Sequence, residues 1–381
     1  MATILSAYRY ASIVLHREAQ IVEVHSRWST VVTFAARIVQ APAIRESGFD
    51  EGDVVPALAY TDLVGDVNVG DYIRIDCSAL AKSLGTGGFA MTLSTENLPA
   101  DSLPDGHIVK ARYTPYQQMV LAVEEEVSAH RHIIEQADTL GGSPVIIADL
   151  HSAVPAIATA IKSSDPQARI VYVMDDTAAL PLAFSRAVNT LKKTGTIALT
   201  VTSGQSYGGD IEAASMPSAL LAAVSVAHAD YTIVAQGPGN LGTGTPFGFS
   251  GTAVANTIHI TRALDGIPLP VIRASQADLR AEHRGISHHS LTTLTRLTLI
   301  SATIPLVNPD SLAVPQDVED KYVNGIARLR QQHDVQFVDS TLCRAALADS
   351  PVKLSTMGRS LADDELAFTS AAAAGLFATQ I

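Results

Sequence analysis

The sequence predicts two architectures in series: a small β-barrel or sandwich over roughly residues 1–110, then an α/β domain over 111–381 with a mainly parallel sheet flanked by helices. Three observations predict it. The first stretch is rich in Val, Ile, Thr and Tyr and alternates in polarity. From about residue 143, short apolar β-branched runs alternate with helical patterns. At 381 residues, the chain is also long for one core.

In order, ATILSAYRYASIVLHR, AQIVEVHS, STVVTFAARIVQ, PALAYTD and DYIRIDC read as strands, separated by turns such as GFDEGDVVP and VGDVNVGD. SLGTGGFAMTLS supplies a glycine corner into a last strand. The period then changes. TPYQQMVLAVEEEVSAHRHIIEQA predicts a helix joining the two domains, with Thr114 as cap and Pro115 at its first position. Five strand-then-helix units follow. The strands are PVIIAD, RIVYVMDD, TIALTVTS, DYTIVAQ and PLPVIRAS, and their repetition implies a parallel sheet with right-handed crossovers, Rossmann-like in outline. The tail holds two helical stretches around the strand candidate DVQFVDS. Its Ala-rich end, DDELAFTSAAAAGLFATQ, packs on the sheet or on another subunit.

Charged residues are only 17% of the chain and the formal net charge is -12. That excludes a general nucleic-acid binder, which needs a basic face. Cys77 and Cys343 are far apart and in no metal spacing, which fits a reducing cytoplasm. The N-terminal stretch lacks the basic flank and apolar core of a signal peptide, and no uncharged apolar run reaches the ~20 residues of a membrane helix. The expected setting is cytoplasmic, with no membrane partner and a homodimer as the expected oligomer.

In open parallel sheets ligands bind beyond the carboxyl ends of the strands. The loops there carry Asp149 and His151; Asp175 and Asp176; SGQSYGGD ending at Asp210; the stretch Gly237–Gly251, GPGNLGTGTPFGFSG; and SQADLRAEHRGISHH. Asp210 and Thr177 also read as helix caps. The Gly237–Gly251 stretch has six glycines and no charged side chain. Gly237, Gly239 and Gly242 match G-x-G-x-x-G after a strand, but the loop runs on too long and no acidic residue ends the next strand, so a dinucleotide is not expected. An anion cradle of backbone N–H groups over Gly237–Thr245, with Thr243, Gly244 and Thr245 at its end, is one reading. A structural corner is the other.

GQSYG matches the nucleophile elbow G-x-S-x-G with Ser206 as nucleophile, though two more glycines separate it from any helix. Asp230 and His259 are the downstream residues available to it. HRGISHH offers His283, Arg284, His288 and His289 for acid–base work. Because His288 and His289 are adjacent, at most one is expected to face a ligand. Asp149, His151, Asp175 and Asp176 could complete a metal shell, but the spacing matches no established metal signature, and no metal is assigned.

LGTGGF, GHIVKARYTPYQQMVLAVEEE, DLHSAVP, DDTAALPLAFSR, GGDIEA, GPGNLGTGTPFGFSG, HRGISHHSL and STMGR together give the chain a likeness. It resembles a bacterial family of uncharacterised proteins, domain-of-unknown-function family 3866, from about Leu84 to about Arg359. The resemblance implies no activity and no cofactor. It implies that Gly208, Gly209 and Asp210 are typical and a serine at 206 is not. STMGR adds Arg359 as an anion contact or as a cap of the last helix.

The expected function is an enzyme acting on a small anionic metabolite, phosphorylated ones included. Asp149, His151, Asp175, Asp210 and one of His283 or His288 would supply the chemistry. Gly237–Thr245, with Arg284 or Arg280, would hold the anion. A non-catalytic metabolite-binding or regulatory protein is the alternative, and serine hydrolysis through Ser206 a further one.

Overall fold

The computed structural model describes residues 14–42, 48–83, 87–101 and 103–381. The start of the first expected strand, residues 2–13, and the Leu84–Thr86 part of the glycine corner lie outside them. Contacts divide the chain into two compact units, Met1–Ser102 and Leu103–Ile381.

In the first unit, β1 (His16–Trp28), β2 (Val31–Gln40), β3 (Val54–Tyr60), β4 (Tyr72–Asp76) and β5 (Ala90–Thr95) form a closed barrel in the order β1-β2-β3-β5-β4. β3 and β5 pair in parallel, and the other ladders are antiparallel. This is the five-stranded Greek-key arrangement of OB-type barrels, and by itself it assigns no ligand. What the sequence presents as two first strands is one from His16 onward. β1 pairs with both β4 and β2, and three irregularities in its β2 register bend it between them. Ile21, Phe34, Ile38, Ala57 and Ile75 fill the interior.

The expected joining helix over residues 114–137 does not form. Its backbone supplies β7 (Gln118–Val120), which pairs with β6 (Ile108–Lys110) as a hairpin, and then a single helical turn at Arg131–Ile134. Thr114 Oγ1 donates to Ala111 O at 2.7 Å and closes a turn, so it caps no helix. Glu125, in the middle of this segment, is used in the fold. The buried Glu125 carboxylate accepts the N–H groups of His107 and Ala122, each at 2.6 Å. Val123 N donates to Glu212 O. Tertiary bonds override a helical period here.

The second unit is built on six strands: β8 (Pro144–Ala148), β9 (Ile170–Asp175), β10 (Leu199–Ser203), β11 (Ile211–Ala213), β12 (Tyr231–Gln236) and β13 (Ile267–Pro270). Their order is β11-β10-β9-β12-β8-β13, and every neighbouring pair is parallel. Alternate residues feed two cores. Ile146, Tyr172 and Ile233 pack with α1 (Val154–Ser164), α2 (Arg186–Lys193), α7 (Ser340–Ala346) and α8 (Glu365–Ala378). Val145, Val173 and Val234 pack with α3 (Met216–Leu221), α4 (Ala253–Ala263), α5 (His288–Thr292) and α6 (Gln316–Leu329). Helices therefore cover both faces, but the strand order is not the 3-2-1-4-5-6 of the dinucleotide fold.

The chain winds β8-α1-β9-α2-β10 over one face. It then returns over the other, inserting β12 between β9 and β8. Neighbouring strands send their connections to opposite faces at β8, β9 and β12, the kind of place where open parallel sheets bind ligands. The Ala-rich α8 packs in the same core as α1, within its own chain. A further parallel pair of strands, Thr303–Val307 and Asp334–Val338, brackets α6; the first of them was not anticipated from the sequence.

Candidate functional site

Asp149 leaves the end of β8, and Gln236 ends β12. Gln236 Nε2 ties the two by donating to Asp149 O at 2.5 Å and to Asn240 Oδ1 at 3.0 Å. Beyond β13 the chain continues to Arg273, whose backbone is fixed on both sides. Its N–H donates to Ser290 Oγ at 3.0 Å, and its carbonyl accepts Ser287 N at 2.8 Å. Asp149, Ser152, Arg273, Ser275, Thr356 and Arg359 line one recess with a cavity volume of about 30 Å³. Burial raises the Asp149 carboxyl pKa above the usual carboxylate range, and the Arg273 charge opposes that only in part.

Three guanidinium groups meet two buried carboxylates beside this recess. Asp278 accepts Arg280 through two bonds of 3.0 and 2.9 Å, and Arg359 Nη2 lies at 3.3 Å and Arg273 Nη2 at 3.7 Å from it. Burial alone would raise Asp278. The Arg280 hydrogen bonds, with the Arg280 and Arg359 charges, outweigh it and hold the carboxyl well below its usual range. Asp364 accepts Arg359 Nε at 2.9 Å, Ser275 Oγ at 2.6 Å and Gln276 N at 2.9 Å. Arg359 thus fixes Asp364, the residue ahead of α8, while it also lines the recess. The sequence reading picked out Arg359 but missed Arg273, Asp278 and Asp364. Arg273 carried a signal, as a cation inside the apolar run PLPVIRAS.

The histidines of HRGISHH do converge, and adjacent His288 and His289 both take part, contrary to expectation. Ring centroids are 4.9 Å apart for His283–His288, 4.8 Å for His283–His289 and 4.3 Å for His288–His289. Two strands of two residues, Ala274–Ser275 and Gly285–Ile286, form a hairpin that folds His283 back over the start of α5. Ser287 Oγ caps that helix, accepting His289 N at 3.2 Å, and bonds His283 Nδ1 at 2.8 Å. Burial, with the positive field of Arg273 and Arg280, pushes the His283 pKa down to about 3. Burial and the neighbouring imidazoles do the same to His289, down to about 3, and burial lowers His288. Arg284 does not join them. It turns to Asp317 at 3.1 Å, so the expected ligand contact at Arg284 is corrected to an ion pair with α6.

The Gly237–Gly251 stretch folds forward as a small hairpin. Thr243 N donates to Gly248 O, Ser250 N to Leu241 O, and Leu241 N to Ser250 Oγ. The Thr243 and Thr245 hydroxyls bond each other at 2.9 Å, and Thr243 Oγ1 also donates to Gly248 O. These expected anion donors are engaged inside the loop. Gly239 and Gly244 lie on its exposed part with positive φ. The glycines at the base permit close approach. A Cβ on Gly237 would lie 2.5 Å from Ala179 O, one on Gly251 3.0 Å from Asp149 Cβ, and one on Gly242 3.4 Å from His289 Cε1. Phe249 stacks on His289 at 3.9 Å with planes 4° apart. The loop thus fits against both Asp149 and the histidines.

A second polar group lies under β12. His151 Nε2 meets Ser185 Oγ at 2.7 Å, and its Nδ1 meets Tyr172 OH and Gln236 O, both at 3.2 Å. Burial lowers the His151 pKa to about 4, partly opposed by the Gln236 carbonyl. Ser185, not Thr177, caps the helix that follows, accepting Val188 N. Asp175 accepts Thr177 N at 2.9 Å and also the Thr177 hydroxyl, and burial raises its carboxyl.

Two expectations fail on geometry. Asp210 is not on the carboxyl edge. β11 runs parallel to β10, so the chain must first return to the amino end of β10, and Asp210 lands beside Thr200. Nor does it cap a helix, because β11 follows it and α3 is capped by Ser215. Asp210 bonds Thr200 N and Oγ1 at 2.8 Å and Lys192 at 2.5 Å. Burial would raise its carboxyl, yet these bonds lower it overall. Ser206 is no nucleophile. It is 0% exposed, and its Oγ bonds the carbonyls of Ser203 at 2.7 Å and Met174 at 2.9 Å. Asp230 and His259 serve Arg169 N and Leu299 N instead.

The family model described as "Protein of unknown function (DUF3866)" matches residues 56–375, and the chain belongs to that family. No curated protein and no solved structure matches it. Among the described residues, no helix is long and apolar enough to cross a membrane.

Proposed function

We propose that the chain is an enzyme acting on a small anionic metabolite, bound in the recess beyond β8 and β13. One observation carries the reading: Asp149, Arg273 and Arg359 line the same recess. Guanidinium groups are the side chains best suited to carboxylate or phosphate oxygens. A carboxyl whose pKa is raised by burial is tuned toward proton transfer near neutral pH. Arg273 and Arg359 take the anion's charge, the Ser152, Ser275 and Thr356 hydroxyls orient it, and Asp149 moves the proton. The cavity volume is about 30 Å³, so the recess takes the anionic group of the metabolite rather than the whole of it. The glycine-rich hairpin flanks the recess by packing on Asp149.

The test joins a thermal-shift screen with a turnover screen. Phosphate, sulfate and small dicarboxylates at millimolar concentration should raise the wild-type Tm by several degrees, and Arg359→Gln should remove the rise. Among anions that stabilise, a turned-over substrate should lose about 100-fold or more in kcat in Asp149→Asn while still raising that variant's Tm. An equal rise in Arg359→Gln, or full turnover by Asp149→Asn, would refute the assignment.

A further inference from the structure

We propose that His283, His288 and His289 bind one Zn²⁺ ion through three imidazole nitrogens. The inference does not depend on the recess and its substrate. Each residue offers one ring nitrogen such that all three lie within 4.8 Å of one another. A Zn–N bond of about 2.0–2.1 Å places tetrahedral ligands roughly 3.4 Å apart, so small side-chain rotations complete the set. Three protein ligands with a position left over is the pattern of a catalytic rather than a structural zinc site.

The surroundings orient the ligands. His283 Nδ1 is held by Ser287 Oγ at 2.8 Å, which leaves Nε2 for the ion, as second-shell bonds do in metal sites. Phe249 fixes the plane of His289 by stacking. Gly242 presents no side chain to His289 Cε1.

A purely structural histidine cluster would spend its ring nitrogens on hydrogen bonds, as His333 does with Leu294 O and Ala302 N. Here His289 is 4% exposed and His288 partly buried. Yet among the described residues neither ring has a hydrogen-bonding partner. Ring nitrogens that face one another and spend no hydrogen bond within the fold are open to an ion. Neutral imidazole is the form that ligates. Arg273 and Arg280 oppose a cation, and Asp278 and Glu282 offset them. With neutral ligands and nearby guanidinium groups, the open position suits hydroxide or a small anion.

The full chain should be stripped with a chelator and titrated with Zn²⁺ against a chromophoric competitor. The expected result is one Zn²⁺ per chain, with affinity reduced about 100-fold or more in His288→Ala. His288 is only half-buried, so this variant should keep the metal-free Tm; if it does not, His288→Gln replaces it. Co²⁺ should give the intense visible bands of a low-coordinate site in the wild type only. Arg359→Gln, which disables the proposed recess, should keep its Zn²⁺, so failure of one proposal is distinguishable from failure of the other. No stoichiometric Zn²⁺, or equal affinity in wild type and a folded His288 variant, overturns the inference.

Discussion

Two glycine-rich loops leave neighbouring parts of one sheet and do opposite things. The loop after β10 doubles back beside its own strand, buries Ser206 and launches β11. The loop after β12 moves forward, closes as a hairpin and lies against Asp149 and His289. Glycine content does not separate them. Position in the sheet does. β10 has one side not taken by β9, so an extra strand can pair there. β12 is paired on both sides, by β9 and β8, and its chain must leave the sheet at the carboxyl edge. A glycine-rich turn after a central strand is therefore placed to meet a ligand, whereas one after a near-edge strand is free to serve the fold.

The comparison makes predictions of graded size. The returning loop is anchored by Lys110. Its ammonium is fully buried and donates to Thr202 O at 3.0 Å, Ser206 O at 2.8 Å and Glu212 Oε2 at 2.7 Å. Lys110→Met leaves the largely buried Glu212 carboxylate without its cation, held only by Thr202 Oγ1 and Gly208 N, and takes the donor from two carbonyls, and should cost about 3–5 kcal/mol in denaturant unfolding. A loss below about 1 kcal/mol would mean that the β10 loop is not held as described. Next is Gly237→Val at the root of the other loop. The added Cβ would meet Ala179 O at 2.5 Å, so the backbone must move, at a cost of about 1–3 kcal/mol. Because that loop backs the recess, the variant should also lose anion-induced stabilisation under conditions where it is folded. Lys110→Met, once folded at low temperature, should retain it.

The smallest effect concerns His151, bonded to Gln236 just before the forward loop. Its folded pKa of about 4 lies below the ordinary 6.5. The unfolded chain therefore takes up a proton that the folded chain does not. This contribution to stability is complete above pH 6.5 and is lost as the pH falls toward 4, with a slope approaching one proton, about 1.4 kcal/mol per pH unit. At pH 6 the loss is below about 1 kcal/mol. Urea midpoints for wild type and His151→Gln across pH 4–7 should differ in slope by that one proton. Parallel curves would contradict the assignment.

The sequence made the barrel strands legible because alternation needs only one buried face, and the βα strands because both of their faces are buried. The segment at 114–137 was misread because its helical period is real, while Glu125 and Val123 spend their hydrogen-bonding capacity on distant partners. Asp149 and His283 were visible as polar residues after strands. Asp278 and Asp364 were not, since Asp278 meets Arg359 across 81 residues and Asp364 meets Ser275 and Gln276 across 89 and 88. His289 was discounted as a neighbour of His288. Only the hairpin that brings His283 back shows that two adjacent rings can face one point.

The pairing of Arg359 with Asp278 and Asp364 also bears on when the recess comes into being during synthesis. Domains emerge from the ribosome N-terminal part first. Asp149, Arg273 and Asp278 are made long before Arg359 and Asp364 exist to complete the wall. A nascent chain can already hold the whole six-stranded sheet and still lack a finished recess. The wall of the recess is thus complete only once the hairpin at residues 355–360 and the helix behind it have been translated and docked.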